Sequence, residues 1–149
     1  MRVLMTGGTG LVLSKNGGLF TRMRLPFGFG IRLGEGKQWM SWIHIDDYIQ
    51  ILLLLMFKQD ARGAFNMTSP SPVTNGDFAR LMREAQRGFA VLPVPSVFLK
   101  LVLAERAALL LEGQRVLPRK VETCGYSFLY PELPAALAEL QKTTYRYTE

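Results

Sequence analysis

The chain is poor in the groups from which most catalytic and metal-binding sites are built. It has one cysteine and one histidine in 149 residues. Cys124 alone excludes an internal disulfide and a cysteine-rich metal site, a usage that fits a reducing compartment. His44 has Ser41, Asp46 and Asp47 near it, but a Ser–His–Asp relay gathers its groups from separate loops around an oxyanion hole. These four therefore read as a hydrogen-bonded strand histidine, its neighbour and helix-capping aspartates. No second ligand pattern supports a metal. Long apolar runs are also missing. The longest, Ile49 to Phe57, is broken by Gln50 and falls far short of the roughly 20 residues that span a bilayer. The apolar start is only a few residues long before its glycines, so it is no signal peptide. The expectation is a cytoplasmic protein with no membrane partner. Nor is there a dense basic run. The net charge of +6 and pI near 9.8 come from residues spread between Arg2 and Arg146 without aromatic interleaving. That is a solvated surface and not a nucleic-acid site.

What remains is ordinary globular material, 48% hydrophobic and 20% charged, long enough for a real core. Met1 to Met5 is an apolar run suited to a buried strand. Thr6-Gly7-Gly8-Thr9-Gly10 follows at once, a loop in which glycines let backbone N–H groups approach a phosphate. Gly7 and Gly10 have the spacing of a dinucleotide fingerprint, but the third glycine position holds Leu13. The next residues, Leu11 to Gly18, read as a second strand and turn where a helix is needed. The opening of a nucleotide-binding fold is present without its continuation.

Further on, Leu19 to Leu25 predicts a short helix stopped by Pro26. Phe27 to Gly36, with four glycines among apolar residues, predicts a mobile loop or loose strand pair. Gln38 to Ile45 reads as a strand, and Asp46 or Asp47 as the N-cap of a helix to about Lys58. That helix is apolar on nearly all sides, which predicts full burial. A brief strand follows at 63–67. Thr74 and Asp77 resemble a capping box ahead of a helix whose apolar face is Phe78, Leu81, Met82 and Ala85. Val91 to Val94 reads as a strand. From Pro95-Ser96 a helix carries a stripe of Val97, Leu101, Ala104 and Ala108, and ends near Gly113. A short helix over 118–124 ends at Gly125, suited to a left-handed cap. Tyr126, Phe128 and Tyr130 alternate as a strand would, residues 131–140 form a last helix, and the tail beyond Gln141 frays. There is no internal repeat.

Three stretches carry a family resemblance. The start Met5-Thr6-Gly7-Gly8-Thr9-Gly10 is similar to extended or atypical short-chain dehydrogenase/reductases, and Trp39 to Asp47 resembles the stretch before a late helix of the same enzymes. Phe65 to Asn75, Glu112-Gly113-Gln114-Arg115-Val116-Leu117-Pro118 and Gly125-Tyr126-Ser127-Phe128 resemble the C-terminal domain, of unknown function, in the epimerase family of sugar-nucleotide-epimerase-like proteins. Members of that family are about twice this length. Leu11 to Leu19 resembles a stretch from past the middle of such a protein, as though the central half were removed.

The resemblance implies an α/β fold, an incomplete Rossmann-like parallel sheet with a mainly helical C-terminal part. It implies a remnant of the NAD(P)-binding domain over residues 1–67 and the epimerase-family C-terminal domain over 68–149. The parent activity would be hydride transfer on a sugar-nucleotide-like substrate with NADP or NAD. Gly7, Gly8, Thr9 and Gly10 would be the cofactor-binding residues, as backbone donors to phosphate. No catalytic residue is expected, because the family's Tyr-x-x-x-Lys pair, which moves the proton, is absent: Tyr48 is followed four on by Leu52, Tyr126 by Tyr130 and Tyr130 by Pro134. The arginine that related enzymes place shortly after a Gly-x-Gln is replaced by Met40. Arg115, Arg119 and Lys120 form a small basic cluster that in the full family could approach an anionic substrate, and that otherwise reads as a solvated helix end. The alternative is a non-catalytic interaction or homo-oligomerisation module built on the C-terminal helices.

Overall fold

A computed structural model describes residues 3–4, 10–15, 28–103 and 113–142. The helix expected at 19–25, Gly7, Gly8, Thr9, the later part of the 97–111 stripe and the tail beyond residue 142 lie outside them. In chain order the strands are β1 (Val3–Leu4), β2 (Leu11–Leu13), β3 (Gly30–Leu33), β4 (Trp39–Met40), β5 (Trp42–His44), β6 (Gly63–Ala64), β7 (Val73–Thr74) and β8 (Val91–Val94). The helices are α1 (Ile45–Phe57), α2 (Asn75–Ala85), α3 (Ser96–Leu103), α4 (Arg119–Thr123) and α5 (Leu133–Lys142).

The described strands pair two by two, β1 with β6, β2 with β5 and β3 with β8 in parallel, and β4 with β7 antiparallel. The fold is α/β with short parallel sheets, as expected. The β2–β5 pair is its centre, and its period-2 alternation sends side chains into two cores. Leu13 and Trp42 enter one, with Phe78 and Met82 of α2 and Leu133, Ala136, Leu137 and Leu140 of α5. Ile43 enters the other, with Ile51 and Leu55 of α1, Phe65, Met67 and Val121 of α4, and Val12 packs against it. Two buried faces explain why these strands carry apolar residues at successive positions.

Several local expectations hold. Thr74 caps α2, its Oγ1 accepting the Asp77 N–H at 3.2 Å and donating to Asp77 Oδ2 at 2.7 Å. Phe78 and Met82 face inward, α4 and α5 form where the pattern put them, and Gly125 follows α4 at φ +87°.

Others are corrected. The 27–36 stretch contains one strand, β3, whose partner is the distant β8. Asn75, buried at the start of α2, accepts the Leu33 N–H at 2.7 Å and so stitches β3 to that helix. The expected strand over 38–45 is two, because β4 pairs with β7 while β5 pairs with β2. Neither aspartate caps α1. His44 does, its Nδ1 accepting the Asp46 N–H at 3.2 Å. Full burial of α1 is also overturned: Ile51 and Leu55 are buried, while Met56 is 55% and Phe57 81% exposed. Only one face of α1 meets the core, since a single helix face can contact a single layer. On α3, Val97 and Leu101 of the expected core stripe are exposed.

The Tyr126–Tyr130 alternation makes no strand. The N–H groups of Leu129 and Tyr130 donate to the Asp47 carboxylate, at 2.8 and 3.0 Å, instead of to a neighbouring chain. Among the described residues no helix is long and apolar enough to cross a membrane.

Candidate functional site

Gly10 is the one expected cofactor residue within the described segments. Its N–H donates to the Met67 carbonyl at 3.1 Å, and the next amide, Leu11, donates to Ser41 at 2.8 Å. A Cβ on Gly10 would stand 3.0 Å from Trp42 N, 3.1 Å from the Ser41 carbonyl carbon and 3.1 Å from Thr68 Cγ2. Gly10 is thus a close-approach glycine between backbone segments, with its amide already committed. Contact with a phosphate would rest on Gly7, Gly8 and Thr9.

Ser41, His44 and the aspartates do not converge. The Ser41 hydroxyl donates to the Gln114 carbonyl and accepts the Val116 N–H, both at 3.0 Å. Asp47 is fully buried and accepts from the Tyr126 hydroxyl at 2.7 Å as well as from the two backbone amides. The phenol's acidity is suppressed by burial and by that carboxylate. No group of three metal-ligating side chains forms among the described residues.

His44 is buried against the Tyr130 ring, centroids 4.1 Å apart. Because Nδ1 accepts, the proton sits on Nε2, which finds no partner among the described residues. Burial lowers its pKa from 6.5. The Asp46 carboxylate 3.6 Å from Nδ1 opposes that shift, with weaker help from Asp47 and from Glu139, which Lys15 offsets. The unfolded chain therefore binds this proton more readily than the folded one. The stabilising contribution is complete above pH 6.5 and is lost as pH falls through the lowered folded-state value. The melting temperature is expected to drop on acidification below pH 6.5, and to drop less in His44→Asn, whose side-chain oxygen can still cap α1. Equal pH profiles for the two proteins would remove His44 as the cause.

A shallow groove lies on the described surface beside β4. Its volume is about 490 Å³. The loop 34–39 forms one side, with the exposed Glu35–Lys37 ion pair at 2.8 Å, Gln38 and Trp39. Ser96 and Gly113 form the other. Each partner of that ion pair holds the other charged, lowering the Glu35 pKa and raising that of Lys37. Gly113 is required there, since a Cβ would fall 1.9 Å from the Trp39 carbonyl oxygen. This contact brings residues 113–117 alongside 39–41. The Arg115 guanidinium carbon then lies 5.1 Å from the centroid of the Trp39 ring, a cation–π contact beside the groove. Lys120, expected to cluster with Arg115, turns instead to the Phe65 ring and the Arg62 carbonyl.

Sequence reasoning singled out Arg115 and missed Trp39 and Ser41 as its partners. The contacts join positions more than 70 residues apart, and no local pattern records them.

The described residues form an α/β fold of short parallel strand pairs and helices. Residues 94–140 match a family described as a domain of unknown function, DUF1731. An epimerase family protein of Staphylococcus aureus is 38% identical over 93% of this chain and 47% of its own length. The crystal structure of the human epimerase family protein SDR39U1 with NADPH is 39% identical, with a TM-score of 0.85 over 93% of this chain and 47% of that one. A nucleoside-diphosphate sugar epimerase of Corynebacterium glutamicum is 29% identical at a TM-score of 0.67, over 91% of this chain and 25% of that one. The chain is a relative of the epimerase family proteins along nearly its whole length. It spans about half the length of the curated relatives it matches.

Proposed function

We propose that the chain carries the substrate side of an NAD(P)-dependent epimerase-like protein and binds the anionic part of a sugar-nucleotide-like ligand in the Trp39–Arg115 groove, without performing hydride transfer itself. The observation that carries this reading is the guanidinium presented over an exposed indole at the wall of a polar groove. Arginine recognises phosphate through a planar fork of donors, and the indole offers a face for a base or sugar. The relatives' names and the NADPH in the human structure support it. A dinucleotide contact through Gly7, Gly8, Thr9 and Gly10 belongs to the same proposal, with the Gly10 amide already used. The absent Tyr-x-x-x-Lys pair supports the lack of turnover.

UDP is the simplest probe. It is expected to bind with a change in tryptophan fluorescence, and Arg115→Ala is expected to weaken binding by about tenfold or more, the worth of one or two charge-assisted hydrogen bonds. Calorimetry with no heat of binding at millimolar UDP would overturn the reading.

A second reading, an oligomerisation module built on the C-terminal helices, is favoured by the exposure of Val97, Phe98 and Leu101 on α3.

A further inference from the structure

The segment 113–118 has no regular secondary structure, yet it carries Arg115, whose guanidinium stands over Trp39 beside the groove. Side chains hold it where a strand partner would otherwise do so. Thr68 Oγ1 donates to the Val116 carbonyl at 3.4 Å, and Asn66 Nδ2 donates to the Leu117 carbonyl at 3.2 Å. Both contacts lie downstream of Arg115. Ser41 grips both sides of it, through the carbonyl of the residue before and the amide of the residue after.

We infer that Ser41 is the positioning residue of the groove: its hydroxyl clamps the backbone on either side of Arg115 and so aims the guanidinium over Trp39 and toward an anion. The inference rests on the reading of the groove as an anion site. The geometry behind it is simple. Ser41 lies two residues beyond Trp39, between β4 and β5, so one short stretch supplies both the clamp and the aromatic platform. One hydroxyl occupied by the carbonyl before and the amide after residue 115 fixes the direction in which its Cα–Cβ bond leaves the chain. A free segment samples many backbone conformations, and order imposed before binding is entropy that the ligand need not remove. Without the clamp, Arg115 keeps its charge but loses its aim. Arg115 is itself exposed, and its guanidinium meets the Trp39 ring at 5.1 Å.

The test uses Ser41→Ala and Ser41→Thr in the full chain with UDP as probe, and reads the indole N–H resonances as well. The chain has two tryptophans. The Trp42 indole donates to the Ser71 carbonyl at 2.9 Å from a buried position and serves as an internal control. In Ser41→Ala the Trp39 resonance is expected to move while that of Trp42 stays, and UDP affinity to fall about five- to tenfold. Ser41→Thr, which keeps the hydroxyl, is expected to restore both to within about twofold. An unmoved Trp39 resonance and unchanged affinity in Ser41→Ala would overturn the inference. Equal losses in the alanine and threonine variants would do the same, since the hydroxyl would then be irrelevant. Should Ser41→Ala fail to fold, Ser41→Cys, of similar size with a much weaker hydrogen-bonding group, takes its place. If the wild-type chain ignores UDP, the groove reading fails, and the Trp39 resonance still decides whether Ser41 places Arg115.

Discussion

Replacing Asp47 with alanine is expected to destabilise the chain by about 3–5 kcal/mol, measured as a fall in the urea midpoint. The carboxylate is fully buried at the first turn of α1 and accepts three hydrogen bonds from one segment, those of the Tyr126 hydroxyl and the Leu129 and Tyr130 amides. Truncation leaves three part-buried donors without their acceptor, at about 1–3 kcal/mol for each group that water does not reach. Partial relaxation of the loop keeps the sum below the simple total. Asp47→Asn keeps one acceptor oxygen but turns an amide toward donors, and should fall between wild type and alanine. A loss under about 1 kcal/mol for the alanine variant would mean that residues 126–130 are held by packing alone. The consequence reaches beyond stability. This carboxylate is what ties the segment before α5 to the start of α1, and with it the two cores on either side of the β2–β5 pair.

Trp42→Ala should match that loss, at about 3–5 kcal/mol. Trp42 is fully buried in the core shared by α2 and α5. Removing the indole opens a cavity between elements that reach it from distant parts of the sequence. It also strands the Ser71 carbonyl that accepts the indole N–H. Trp42→Phe separates the two effects, since it keeps most of the ring volume and loses the hydrogen bond, and should cost about 1–2 kcal/mol. A phenylalanine variant as damaged as the alanine variant would put the importance of Trp42 in its hydrogen bond rather than its bulk. Both variants leave Trp39 and Arg115 untouched, so folded protein of either should still bind UDP.

The elements written most plainly in the sequence are those whose causes are local. Thr74 and Asp77 announce α2 because a capping hydroxyl and an amide three residues on must meet whatever the rest of the chain does. Phe78 and Met82 announce its inner face by their spacing. The helix ending before Gly125 and the strand at Val91–Val94 are legible for similar reasons. The motifs at 65–75, 112–118 and 125–128 placed the chain among its relatives without any coordinates.

Tertiary structure decided where a local pattern had two outcomes or a contact crossed the chain. The alternation of Tyr126, Phe128 and Tyr130 suits a strand, but a buried carboxylate 79 to 83 positions earlier takes the hydrogen bonds a strand would use. Two aspartates invite the role of N-cap, yet the chain turns so that His44 caps α1 and Asp47 points inward. The apolar α1 could have been buried all round; which face meets the core depends on which layers lie beside it. Ser41, Trp39 and Arg115 are unremarkable apart. They come together only when Gly113, lacking a Cβ, lets the C-terminal segment press against the β4 backbone. Sequence therefore determined the elements and the kinship, since capping, periodicity and motif spacing act over a few residues. Folding decided the groove, because its partners meet through long-range contacts that no short-range pattern encodes.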